Sequence, residues 1–136
     1  MKRPYIPPNA KKWLRALRSG KYKQTVGNLH SKYGEDGYCC LGVACELAVK
    51  AGVNIKVTEH GGIVFYNRKS DFLPPIVRKW LGFGPRNEAG MFKRKDSYTY
   101  DSYETLASLN DSRFTFSEIA DIVEQNADQL FKHPKQ

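Results

Sequence analysis

Apolar residues recur at helical spacing near the start of the chain. Ala10, Trp13, Leu14 and Leu17 stand at i, i+3, i+4 and i+7 and mark one buried face. The spacing predicts a helix over 10–19, with Asn9 as its N-cap and Gly20 just past its end. Ahead of it, Pro4, Pro7 and Pro8 predict an extended basic arm over 1–8. A wider apolar segment, 39–51, carries Leu41, Val43, Ala44, Leu47 and Ala48 and stops at Gly52. Its broad apolar surface predicts a central, mostly buried helix. Alternation then replaces helical spacing: Ile55/Val57 and Ile63/Phe65 flank His60-Gly61-Gly62, the pattern of a β-hairpin.

Three more helices are expected. One over 76–81 follows Leu73-Pro74-Pro75, and one over 102–109 turns Leu106 and Leu109 inward. The last is capped by Thr115 or Ser117, has Ile119, Ala120, Ile122 and Val123 as its apolar positions, and runs on to the end of the chain. Residues 24–37 read as a loop with a short strand, and 83–100 as a mobile loop. These elements predict one α+β domain over 9–132, with about five short helices packed around one antiparallel hairpin or small sheet. Ile55, Val57, Phe65 and Trp80 are expected in its core alongside Trp13 and Leu17.

Composition fits that picture. A chain of 136 residues, 40% hydrophobic and 26% charged, is long enough for one core without staples. No apolar run approaches the roughly 20 residues of a membrane span, and no apolar segment follows the early cations as in a secretory signal. A cytoplasmic protein with no membrane partner is expected. Cys39, Cys40 and Cys45 are odd in number and clustered, so reduced thiols are expected rather than a disulfide framework.

Charge changes the picture more. The chain holds 22 Lys and Arg against 14 Asp and Glu, a net charge of +8. Eight cations and no acid lie in the first 23 residues, and the other 14 cations are matched by the 14 acids, which begin at Glu35, so the whole excess is N-terminal. Lys11, Arg15 and Arg18 fall at i, i+4 and i+7, a stripe beside the apolar face, and Lys21, Tyr22 and Lys23 extend it. Cations at this density with an aromatic among them suit phosphate contact and base stacking. A second basic–aromatic patch, Lys93-Arg94-Lys95 with Tyr98 and Tyr100, follows on a loop; Arg94 and Tyr98 would shape an anion site. The bland alternative for both patches is a solvated face.

Other chemistry is less well supported. Cys40 at a helix start, with His60 on the next hairpin, sketches a Cys–His hydrolase or transferase. Against it, the segment is apolar, and Cys40 and Cys45 suit small core residues beside a close contact at Gly42. Cys40 and Cys45, with four residues between them, are at the wide end of zinc-ligand spacing, and three scattered histidines supply no second ligand pair, so neither metal nor cofactor is expected. Phe116-x-x-Ile119-Ala120 resembles the first helix of a helix-turn-helix, but acidic Glu124 and Asp128 follow where a recognition helix would be needed.

Several motifs occur together: Trp13-x-x-Ala16-Leu17-Arg18-Ser19-Gly20, Tyr38-Cys39-Cys40-Leu41-Gly42-Val43-x-Cys45, Trp80-Leu81-Gly82 and Leu106-Ala107-x-Leu109-Asn110-Asp111. As a set they resemble a group of small uncharacterised proteins found mainly in tailed-phage genomes, over about residues 13–125. The resemblance implies a phage context and no particular mechanism. With the charge pattern, it leads to the expectation of an accessory protein that counteracts or redirects a host system. Its N-terminal basic helix would bind an anionic partner: a nucleotide or other phosphate-bearing ligand, an acidic host protein, or nucleic acid non-specifically. A host-enzyme inhibitor acting by protein contact alone remains an alternative, and a homo-oligomer sharing a site between copies is compatible with the sequence.

Overall fold

The computed structural model describes residues 4–93 and 103–133. Helix α1 (Pro8–Arg18) starts two residues earlier than the spacing predicts. Pro8, with its fixed φ and missing N–H, occupies the first turn, where a proline costs least. Asn9 therefore lies inside the helix, and its Nδ2 donates to the Trp80 carbonyl at 3.0 Å. Gly20 stands in the left-handed region at φ +75°, as a residue past a helix end should.

Strands β1 (His30–Ser31) and β2 (Gly37–Tyr38) come next. Helix α2 (Cys40–Lys50) follows and is the centre of the molecule, with every residue from Cys40 to Cys45 buried. Strands β3 (Val57–His60) and β4 (Ile63–Tyr66) form the expected hairpin. Its two turn residues, Gly61 and Gly62, have φ of +58° and +83°, the signs a type I′ turn needs. The four strands form one antiparallel sheet in the order β2-β1-β4-β3.

Helix α3 (Pro75–Leu81) ends on Gly82, and a two-stranded ladder, β5 (Met91–Lys93) with β6 (Tyr103–Thr105), closes the segment read as loop. Helix α4 (Leu106–Asp111) begins four residues later than expected because β6 occupies its approach. Helix α5 (Phe116–Gln125) carries a full capping box between Thr115 and Glu118. It does not run on: Asn126 folds its side chain back onto the Ile122 carbonyl at 2.9 Å, and a separate short α6 (Ala127–Leu130) follows. The protein is thus an α+β domain of helices packed on a small antiparallel sheet.

The core joins α1, α2, α3 and α5. Trp13 is fully buried and donates its indole N–H to the Cys40 carbonyl at 2.8 Å, tying α1 to the first turn of α2. Four core expectations are corrected. On β4 it is Val64 and Tyr66 that face inward, not Ile63 and Phe65, and Val57 on edge strand β3 is 46% exposed. Trp80 and Ile55 are only partly buried against the core.

Candidate anion-binding surface

Helix α1 buries Ala10, Trp13, Leu14 and Leu17, and this fixes where its cations go. Lys11, Lys12, Arg15 and Arg18 are all exposed. Lys11, Arg15 and Arg18 line a groove of about 920 Å³ with Tyr5 and Ile6 of the preceding arm. The arm is docked rather than loose. Pro7 is buried and packs on Gly82, where an added Cβ would lie 2.6 Å from the proline Cγ.

The three cations of the groove are not equivalent. Arg18 reaches across to α5, donating to Asp121 at 2.7 Å and to Glu124 at 2.6 Å. These bonds, Asp121 first, raise its already high pKa. Its charge is spent inside the molecule, holding α1 against α5. Lys11 and Arg15 enter no salt bridge among the described residues. They are the cations free to meet an external anion.

The rest of the sequence-predicted patch lies elsewhere or is occupied. Lys21 is exposed beyond the helix end, and Lys23 pairs with Glu35. Tyr22 is not a free stacking platform: its ring meets Tyr38 edge-on at 5.3 Å, and its hydroxyl accepts from Lys50 Nζ at 3.2 Å. Arg94 and Tyr98 lie outside the described residues.

The structure does not assemble a Cys–His pair. Cys40 is fully buried and its Sγ donates to the Leu106 carbonyl at 3.5 Å. His60 stands on the exposed end of the hairpin with its ring against Phe65. Burial pushes the Cys40 thiol well above its ordinary pKa, and a neighbouring Cys39 adds to the shift, so desolvation outweighs any help from the helix start. Cys39 is pushed up to about 11 by the same burial, and Cys45 is raised too. The three are free, buried thiols. Among the described residues, no group of three His, Cys, Asp or Glu side chains could hold a metal ion, and no helix is long and apolar enough to cross a membrane.

Two polar centres escaped the sequence reading. The first is Asn110, fully buried, whose Oδ1 accepts from the Cys40 N–H at 3.1 Å and from Gln24 Nε2 at 2.9 Å. Its Nδ2 donates to the Thr25 carbonyl at 2.8 Å. The second lines a cleft of about 450 Å³ on the sheet. There His30, 5% exposed, stacks on Tyr38 at 4.0 Å and contacts Asp36 through Nε2 and the Tyr66 hydroxyl through Nδ1 at 2.9 Å. Tyr66 donates onward to Glu46 at 3.3 Å. The chain pins the β1–β2 turn to α2. Asn110 stands in the Leu109-Asn110-Asp111 motif, but its partners lie 70 to 86 positions away, beyond any local pattern.

A family model described as "Domain of unknown function (DUF8296)" matches residues 8–127. No curated protein and no solved structure matches the chain.

Proposed function

We propose that this chain, which belongs to the DUF8296 family, is a non-enzymatic accessory protein that binds an anionic partner in the groove along α1. One observation carries the reading. Lys11 and Arg15 line a concave groove without a carboxylate partner among the described residues, while the neighbouring Arg18 is already neutralised by Asp121 and Glu124. An unpaired cation beside an aromatic in a groove keeps its charge for an incoming phosphate or carboxylate, and Arg15 is suited to bidentate contact. The N-terminal concentration of charge supports the same reading, since it steers anions to this face. The resemblance to tailed-phage proteins supports a role in counteracting or redirecting a host system.

The test is a thermal-shift panel of mononucleotides, cyclic nucleotides, oligonucleotides and inorganic polyphosphate, run at low and high salt. An anion at 100 times its Kd adds about 2.7 kcal/mol, several degrees for a domain of this size. The shift is expected from at least one anion and is expected to disappear in the Lys11→Glu/Arg15→Glu variant. No shift from any anion, or the same shift in the variant, refutes the reading.

A further inference from the structure

The groove on α1 has a neighbour. A second groove of about 650 Å³ lies on the other side of the arm, lined by Arg78, Lys79, Lys132 and Trp80, and both grooves share Tyr5 and His133. The rings of these two residues meet at 5.4 Å and form an aromatic ridge where the grooves join. Six cations line the pair of grooves, Lys11, Arg15 and Arg18 on one side and Arg78, Lys79 and Lys132 on the other, of which Arg18 and Arg78 are already paired, Arg78 with Glu88 at 3.5 Å. The one carboxylate lining them, Glu124, is held by Arg18.

Building on the anion-binding reading above, we infer that the partner is a single-stranded nucleic acid, whose backbone follows the two grooves and whose bases stack at the Tyr5–His133 ridge. Three features favour it over other polyanions. The positive charge is distributed on both sides of the ridge, so a ligand must be extended to meet all of it, and a mononucleotide is not. Each groove alone is the size of a whole small-molecule site, and the two meet at Tyr5 and His133, which line both. The ridge also offers an aromatic face, with Tyr5 37% exposed. Unpaired bases use such a face; a stacked duplex, a polyphosphate or an acidic protein leaves it idle.

The ridge is also preorganised. Pro7 of the arm seats on Gly82 at the end of α3, and Asn9 in the first turn of α1 bonds the Trp80 carbonyl, so the arm that carries Tyr5 is fixed at its root. A ring held in place loses little freedom when a base stacks on it. Tyr22, the aromatic that the sequence pattern favours, lines neither groove, whereas Tyr5 lines both.

The experiment is fluorescence anisotropy with the full chain and a labelled 12-nucleotide oligothymidylate. Unlabelled oligothymidylate, a hairpin duplex, inorganic polyphosphate and thymidine monophosphate serve as competitors. Four cations, Lys11, Arg15, Lys79 and Lys132, enter no salt bridge among the described residues. If each neutralises one phosphate, the single-strand salt slope is about −3, or about fifty-fold weaker binding from about 50 to 200 mM salt. Tyr5→Ala is expected to weaken oligothymidylate about tenfold or more and to leave polyphosphate unchanged, while Tyr5→Phe retains binding. Lys79→Glu/Lys132→Glu is expected to weaken the oligonucleotide as well. Melting of each variant confirms that it is folded.

If oligothymidylate depends on Lys11 and Arg15 but not on Tyr5, Lys79 or Lys132, the single-strand track is refuted and the anion groove stands. Equal competition by duplex or polyphosphate has the same meaning. If no anion binds at all, both fall.

Discussion

The carboxamide of Asn110 accepts the backbone N–H of Cys40 at 3.1 Å and so closes the first turn of α2 from a helix 70 residues further along the chain. The cap at the preceding position, Cys39 Sγ accepting from Gly42 N–H at 3.4 Å, is a weak sulfur acceptor. Asn110 supplies the stronger bond, and its other partners fasten the 24–25 segment to the same point. Replacing it with alanine strands a buried N–H and a half-buried carbonyl together. Each unsatisfied group costs about 1–3 kcal/mol, so Asn110→Ala is expected to lose about 2–4 kcal/mol in urea denaturation. A loss below about 0.5 kcal/mol would show that the backbone groups find other partners. Asn110→Asp keeps the acceptor for Cys40 but sets a buried oxygen against the Thr25 carbonyl, and is expected to lose at least as much.

Gly42 is where α2 passes closest to the chain. A Cβ built there would overlap the Leu29 carbonyl oxygen, which is backbone and already accepts from the Cys39 N–H at 3.1 Å. Neither side can yield without breaking the join between β1 and α2. Gly42→Ala is therefore expected to cost about 3 kcal/mol or more, despite alanine's better helix propensity. Gly34, whose added Cβ would meet nothing, is the contrasting site. Its φ of +76° makes Gly34→Ala a cost of about 1 kcal/mol from backbone strain alone. Comparable losses at the two positions would refute the close-contact account.

The helices were legible because burial follows spacing that is local. Ala10, Trp13, Leu14 and Leu17 are all buried, and the turn at Gly61-Gly62 is the one that the glycines demand. The phase of the hairpin was not legible. Alternation defines two faces but does not say which one meets the core. Tyr66 decides it: its ring is buried and its hydroxyl reaches Glu46 and His30, partners invisible along the strand itself. The site divides in the same way. Cations at 11, 15 and 18 are plain in the sequence, but which of them is spent depends on α5. Asp121 and Glu124, one helical turn apart, converge on Arg18 only once α1 and α5 have packed.

The buried thiols give the stability a pH dependence whose sign follows from their shift. Burial pushes Cys39 from its ordinary value of 9.0 up to about 11. Below about pH 9 the folded and unfolded chains both hold the proton, and the contribution is fully present. Above it the unfolded chain ionises first, so stability falls as pH rises from about 9 to about 11. Two pKa units correspond to about 3 kcal/mol. Tyr38 and Tyr66, both raised chiefly by burial, add losses of the same sign at higher pH. Cys39→Ser keeps an oxygen to accept from Gly42 and does not ionise in this range. The stability difference between wild type and Cys39→Ser is expected to shift against the wild type by up to about 3 kcal/mol over that window. A difference that is flat with pH refutes the assignment.

Arg15 and Arg18 sit three residues apart on one helix face and are expected to fail in opposite ways. Arg18 bonds two carboxylates of α5, but all three side chains are substantially exposed, at 35%, 61% and 46%, so the clamp is worth about 1 kcal/mol. Arg18→Glu places a third acid beside Asp121 and Glu124 and is expected to lower the melting temperature by several degrees. Arg15 touches no carboxylate among the described residues, and Arg15→Glu is expected to leave melting within about a degree of wild type. Binding reverses the order: Arg15→Glu is expected to abolish most of the anion affinity. Arg18→Gln, which keeps some hydrogen bonding to α5, is expected to retain most of it. Raising the salt concentration tests the same division, because screening weakens the Arg18 clamp by tenths of a kcal/mol but weakens multi-phosphate binding by orders of magnitude. If Arg15→Glu melts early and still binds, the roles given to the two arginines are the wrong way round.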